Sequence, residues 1–290
     1  MATENKTGAL IPPKAPNLPI APGDYESRFH EQFSNVLRLY FNQIDNFCQP
    51  FSSNTGGAFL RFPNGAFHQD GATTLTAGIS NVSTTPIPVA STSLFATSGH
   101  IIIGTEIIAY TGKTSTTFTG ITRGVYGTTN VSHSSGDAVT EALGVASSTT
   151  SKAVPFDTTD AANQVSINTT DDTKIDISTS GYYNIQFSAQ LLNFTTSDDN
   201  VTFWYKHNGN DIAYSAGIAT VPGKHGSTAG ANIVSWNLVY PFTAGDNFQL
   251  YFASESGNTV CATYPAGVAP VHPVSPSVIL TATFVSALYP

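Results

Sequence analysis

The stretch SGYYNIQFSAQL, residues 180–191, alternates with a period of two. Tyr183, Ile185, Phe187, Ala189 and Leu191 point one way, and Tyr182, Asn184, Gln186, Ser188 and Gln190 the other. This predicts a strand with one dry face. Similar signals recur from residue 153 onward in QVSI, KIDIS, NVTFWYKHN, DIAYSAGIA, NIVSWNLVY, DNFQLYFAS, TVCATY and SVILTATFVSAL. About nine strands in under 140 residues, with no helix among them, bury their dry faces most naturally as two facing antiparallel sheets of a jelly-roll kind.

Upstream, residues 73–142 hold shorter strand signals at close spacing, which predict a small β module. In GHIIIGTEIIAYTG two apolar runs flank Gly104 and Thr105, a two-residue hairpin turn. The Ser/Thr-rich GVASSTTSK separates this module from the strand-rich C-terminal half. Further upstream, DYESRFHEQFSNVLRLYFNQIDNFCQPF predicts a helix with Asp24 as N-cap, acids in its first turn and Pro50 at its end. Phe33, Leu37, Tyr40, Ile44 and Phe47 fall at heptad spacing on one seam, widened by Val36, Leu39 and Phe41. Little over two heptads is marginal alone, so such a seam needs a larger domain or sister helices to cover it. The proline-rich run before it is an extended arm, either a tail or a strap along a neighbouring subunit. The chain therefore reads as mainly β, with four parts: arm and anchoring helix 1–50, small β module 51–145, linker 146–152 and sandwich 153–290.

Composition sharpens this picture. Only 10% of the 290 residues are charged, so polarity comes from hydroxyls and amides, which suits sheets joined by Gly, Asn and Ser turns. A net charge of −8 with 11 scattered basic residues argues against nucleic acid or an anionic membrane as partner. Cys48 and Cys261 are far apart and make no CxxC or Cys/His spacing, so both read as buried thiols. The first residues lack the pattern of a signal peptide, and no apolar run reaches the length of a membrane span, so a soluble, cytoplasmically made product is expected. Six Asn-x-Ser/Thr triplets read as chance in so Ser/Thr/Asn-rich a chain.

Particular residues carry a family resemblance. GYYNIQF (181–187), AGDNFQLYF (244–252) and the closing PSVILTATFVSAL resemble signatures of the C1q/TNF-like jelly roll. FWYKHNGNDIAYSAG, ANIVSWNLVYPFTAGD and YPAGVAPVHPVSPSVILT are similar to the version of that domain in structural proteins of tailed bacteriophages, and the match spans roughly half the chain. GTEIIAYTGKTSTTFTGITRGVYGTT with HSSGDAV resembles a small β module of phage virion proteins, and NVLRLYFNQIDN an N-terminal segment of marine phage structural proteins. The resemblance implies a homotrimer in which each jelly roll packs on two copies, assembled in a host cytoplasm into a virion. Tyr182, Gln186, Gln190 and Trp236 are then candidates for the subunit interface. A trimer would also gather three copies of the helix, and residues 1–50 would dock on other virion proteins.

The candidates for chemistry are few. Glycoside hydrolysis needs two facing carboxyls, and Asp171, Asp172, Asp198, Asp199, Asp246 and Glu255 are available, but the first four read as solvated turn residues and Asp246 as a backbone cap. No HExxH cluster, GxSxG elbow or phosphate loop occurs, so neither a metal site nor a cofactor is expected; a threefold axis could still build a metal site from one histidine per chain, such as His207, His225 or His272, and this is the disfavoured reading. Trp204, Tyr205, Lys206, His207, Lys224 and His225 place aromatic, basic and amide groups near loops and are candidates for contact with a host-surface glycan or protein, although packing in the core or the trimer interface is the favoured reading for Trp204 or Tyr205. The reading is a non-enzymatic virion appendage, a tail fibre or tail-associated protein. Its rivals are a capsid decoration or cement protein and a host-polysaccharide depolymerase.

Overall fold

A computed structural model describes residues 16–18, 20, 24, 27–52, 62–145, 147–268 and 271–288, with the backbone alone for 45–52 and 268. The chain forms two units, Met1–Phe62 and Pro63–Pro290. The proline-rich arm expected before residue 24 lies almost wholly outside the described residues.

In the first unit, helix α1 runs over Ser27–Ser52, starting three residues past Asp24, with no acid in its first turn. Pro50 does not end it. The helix runs two residues beyond it, so Pro50 stands in the last turn, where a missing N–H removes one rung and no later turn depends on it. Phe33, Leu37, Tyr40 and Ile44 share one half-buried face, Phe29 stacks on Phe33 at 6.1 Å between ring centroids, and Leu39 and Phe41 stand exposed. The side chain of Phe47 lies outside the described residues. No described helix is long and apolar enough to cross a membrane.

The second unit is mainly β. From its start run β1 (Asn64–Gln69), β2 (Ala72–Thr74), β3 (Ile87–Pro88), β4 (Gly99–Ile103), β5 (Glu106–Tyr110), β6 (Gly112–Lys113), β7 (Thr117–Thr119), β8 (Thr122–Val125) and β9 (Ala138–Gly144). Next come β10 (Lys152–Ala153), β11 (Thr158–Asn163), β12 (Val165–Ile167), β13 (Ile175–Ile177), β14 (Gly181–Asn193), β15 (Asp199–His207), β16 (Asn210–Asp211) and β17 (Gly217–Val221). The last six are β18 (Gly230–Phe242), β19 (Asn247–Ser254), β20 (Thr259–Ala262), β21 (Gly267–Val268), β22 (Val271–His272) and β23 (Val278–Ser286).

Two antiparallel sheets form a sandwich. The first runs β11-β1-β23-β14, and the second β12-β13-β19-β15 with β17 on the far edge of β15. On one side β14 pairs with β18 along its whole length, from Gly181↔Phe242 to Asn193↔Gly230, and on the other with β23 and then β20. The row expected to be dry is dry: Tyr183, Ile185, Phe187, Ala189 and Leu191 are all sealed in the core against Val201, Phe203, Tyr205, Phe248, Leu250 and Phe252 of the opposite sheet. Large aromatic and aliphatic side chains dominate this layer, and at about 25 cal/mol per Å² their burial is the main favourable contribution to the fold.

The segment 73–142 has its own core, built around Ile101, Ile103, Ile108, Tyr110 and Phe118. Its hairpin turns at Gly104, whose φ of +59° suits glycine, with Ile103 paired to Glu106. The boundaries read from the sequence nonetheless shift. Strand β1 sits between β11 and β23 in the first sheet of the sandwich, and β20 pairs with β9, carrying that sheet on into β4, β5 and β8. The expected linker is pinned at both ends, Val145 in the sandwich core and β10 against β19. A third cluster, with Ile102, Ile107, Leu192, Phe194 and Val260, fills the junction. Residues 63–290 are thus one compact unit with two cores, because backbone pairing crosses the place where composition suggests a break.

Candidate functional site

The outward positions of β14, β18 and β23 make one continuous surface. Across it Gln186 stands between Thr281 and Asn237, and Asn184 between Thr283 and Val239. Asn237 Nδ2 donates to Asn184 Oδ1 at 3.0 Å, tying β18 to β14. Ile233 (66% exposed), Val239 (52%), Val285 (57%) and Ile279 (41%) lie in solvent, and the three strands contain no Asp, Glu, Lys, Arg or His. The edge of β18 away from β14 has no strand partner among the described residues. An uncharged face ending in a long open edge strand is what soluble proteins usually avoid with charges or prolines.

Of the four residues expected at a subunit interface, Tyr182 and Gln186 lie on this face. Gln190 points the same way, but its Nε2 donates to Ser275 Oγ at 2.6 Å and the Pro276 carbonyl at 2.8 Å. Trp236 does not belong. It stands opposite Phe187 on the inward side of β18, and its ring packs on Phe187 and Phe203 at 4.7 and 6.1 Å.

The six residues expected at a receptor surface fall in four places. Trp204 and Lys206 share the outer face of β15 with Tyr251: Trp204 Nε1 donates to Asp211 Oδ1 at 2.7 Å, and Lys206 Nζ lies 4.4 Å above the Tyr251 ring and 3.4 Å from Asp211. Tyr205, one residue along, has the opposite parity and is wholly buried, so it cannot touch a partner. His207 is taken up by Asp246 at 2.9 Å and the edges of Tyr240 and Phe242. Lys224 and His225 lie in the turn after β17, beside the start of β15, so roughly 15–25 Å separates them from Trp204 and Lys206 at 3.3–3.4 Å per residue. The sites form no single surface.

The turn carboxylates act as backbone partners. Asp246 Oδ2 accepts from Thr243 N at 2.7 Å, the cap expected of it, and Asp198 accepts from Gly223 N at 2.9 Å. Asp171 accepts from Thr173 N and Oγ1, and Glu255 from Asn200 Nδ2. Asp199 is not solvated as expected but buried. Burial works against its charge, yet donors from Ser254, Thr259 and Ser256 N hold its carboxyl below the usual range. Cys261 is a buried free thiol, raised by burial. Among the described residues, no three His, Cys, Asp or Glu side chains come together as a metal-binding group.

A different place holds perturbed carboxyls. A cavity of about 150 Å³ is lined by Gln69, Glu141, Asp157 and Asp172 together with the 93–96 loop and Pro155. Glu141 is 6% exposed and sits midway along β9, where Gly71 leaves it room: a Cβ at Gly71 would come within 2.8 Å of Oε2. Burial and then the charge of Asp157 push the Glu141 carboxyl up to about 8, with Gln69 and Lys152 opposing the rise. Asp157 is raised to about 6, first by burial, and Asp172 is raised by burial and Asp171. Asp70 N donates to both Asp157 oxygens at 3.3 Å, and His68 bridges Asp70 and Asp160 at 3.4 and 2.8 Å. Sequence reasoning missed this cluster. Its members are brought together by the pairing of β9 with β2 and by the contact of residue 157 with the end of β1. The one local signal was Glu141 itself, an acid inside the apolar run AVTEALG.

No family model matches the chain, and the search of curated proteins finds no relative.

Proposed function

We propose that this chain is a non-enzymatic structural protein of a tailed-bacteriophage particle, a trimeric appendage held by its N-terminal unit and displaying a C1q/TNF-like jelly roll. The uncharged outer face of β14, β18 and β23 carries this reading. Depletion of charge with retained aliphatic and amide groups marks the centre of a subunit interface, and a second copy covering this face would also protect the β18 edge. Strand order supports the jelly roll: β1-β23-β14-β18 faces β13-β19-β15-β17, an interleaving of distant segments in both layers. GYYNIQF opens the central strand of the first layer, and AGDNFQLYF forms the turn and strand at the centre of the second. Helix α1, with its half-buried heptad seam, supplies a surface for sister helices or for docking. Outward display is left to the Trp204–Lys206–Tyr251 cluster.

Light scattering of the native protein is expected to give three times the chain mass, and a monomer mass would contradict the trimer. A variant lacking residues 1–50 is expected to remain trimeric but to stay out of particles; normal incorporation would sink the anchoring role. Imaging particles with the chain placed separates a tail position from a capsid one.

A further inference from the structure

We propose that the outer face of β15, with the loop 212–216 that follows β16, binds a chain of neutral pyranose sugars stacked on Trp204 and Tyr214. The proposal deepens the display role given above and takes from it only the source of the glycan, a host surface. Trp204 stands directly opposite Tyr251 across β15 and β19, with ring centroids 5.7 Å apart and planes at 33°, so two aromatic rings lie side by side on the sheet. Lys206 Nζ covers Tyr251 at 4.4 Å from its centroid, and Trp204 is the ring left for a ligand. This sheet lies opposite the one that bears the uncharged face, so covering that face leaves Trp204 open.

The loop supplies an independent observation. Tyr214 is fully exposed and holds its φ at +64°, in the left-handed region that a bulky side chain rarely adopts. Its neighbours enforce the pose: Ile212 N donates to the Tyr205 carbonyl, Ser215 Oγ accepts from Tyr205 N and donates to the Ile212 carbonyl, and both Ile212 and Ser215 are buried. A strained residue held by buried flanks, with its aromatic ring wholly in water, gains nothing from the fold; such strain collects at ligand clamps. Ile218 widens the apolar surface, being exposed opposite Thr202 and so on the Trp204 side of the sheet.

Polar groups and charge narrow the class. Asp211, mostly exposed, has Trp204 Nε1 at 2.7 Å and Lys206 Nζ at 3.4 Å from its Oδ1, and among the described residues no donor reaches its Oδ2. That oxygen is placed to accept from a hydroxyl beside the indole, and Lys206 to donate to another. A pyranose has this division, with a face of C–H groups for an aromatic ring and a rim of hydroxyls for the carboxylate and ammonium. Lys206 and Asp211 offset each other, and residues 212–223 carry no charge, so a charged sugar finds no unmatched partner of opposite sign. Strand β15 is already paired with β19 on one side and with β16 and β17 on the other, which leaves no backbone beside Trp204 for an added peptide strand.

The test is titration of the full chain with maltohexaose, cellohexaose and mannohexaose, and with hexagalacturonic acid as the charged comparison, read by calorimetry and by tryptophan fluorescence. The chain has two tryptophans, so the signal can be assigned. Saturable binding of at least one neutral sugar is expected, about tenfold tighter than the acid or better. The fluorescence change should persist in Trp236→Phe and vanish in Trp204→Phe. Trp204→Ala and Tyr214→Ala should each weaken binding about tenfold; Tyr214, being fully exposed, can be truncated without unfolding the chain. Binding of none of the neutral sugars, equal binding of the acid, or full affinity in the folded variants would overturn the proposal. Light scattering on the same samples separates it from the assembly: a trimer that binds no sugar removes the glycan site alone, and sugar binding by a monomer removes the trimer alone.

Discussion

Phe187 and Trp236 face each other across β14 and β18, with ring centroids 4.7 Å apart and planes at 73°. This edge-to-face pair is extended by Phe203 from the opposite sheet, so Trp236 clamps the two layers together near an edge. Trp236→Ala should therefore destabilise the fold by about 3 kcal/mol or more. Trp204→Ala, on the outer face, should cost about 1 kcal/mol or less. Urea unfolding at a fixed protein concentration compares them, and similar losses would mean that the facing of the two tryptophans is misassigned.

Arg123 and Glu106 form a two-pronged buried ion pair, Nε to Oε1 and Nη2 to Oε2, both at 2.6 Å, with His133 Nε2 at 2.9 Å from Oε2. Arg123 also donates to the Ser80 and Val131 carbonyls, so it fastens the loops around the small core. Arg123→Met leaves the Glu106 charge buried without its main partner and should cost about 3–5 kcal/mol. The double change Glu106→Leu with Arg123→Met should recover part of this, which thermal unfolding of the set would show.

Glu141 makes stability pH-dependent in an unusual direction. Its carboxyl is raised from 4.5 to about 8 in the fold, so between those values the folded state holds more protons than the unfolded chain. Stability must then fall as pH rises through this window, with a slope of up to about 1.4 kcal/mol per pH unit from this group. Asp157, raised from 3.8 to about 6, adds in the same direction over the lower part. In Glu141→Gln the melting temperature should vary less between pH 5 and 8; an unchanged profile would remove Glu141 as its source.

A charge placed in the middle of the uncharged face tests assembly directly. Gln186→Lys or Val239→Glu leaves the core of each subunit intact, since both residues point outward and Gln186 is exposed. Circular dichroism should be unchanged while light scattering reports dissociation toward monomer. A trimer that survives both substitutions uses another surface.

Period-two alternation is the part of the fold most legible in the sequence. The row from Tyr183 to Leu191 could be read because each position has one neighbour class on each face, and the Gly104 turn because glycine marks it. The same parity in VTFWYKH separates Tyr205 from Trp204 and Lys206, in keeping with the core packing favoured for it, and in IVSWNLVY it sets Trp236 with Leu238 and Tyr240 against Val239, so the inward place of Trp236 could also be read there. The cavity was not legible. Gln69, Glu141, Asp157 and Asp172 meet only after long-range pairing, and nothing in their local sequence marks them as neighbours. The division at 146–152 failed for a related reason: composition reports where the chain is polar, whereas the sheet continues through backbone bonds that any sequence can make.

The placement of β1 beside β23 sets a schedule for synthesis. Residues 75–139 contain a complete core of their own and can collapse early. Gln69, by contrast, finds its partner Val278 more than two hundred residues later, and β14 lacks one neighbour until residues 278–286 exist. Contacts this distant are slow to close. The uncharged face is therefore complete only once residues 278–286 have been made, more than two hundred residues after β1, so early chains carry β14 with one side unpaired.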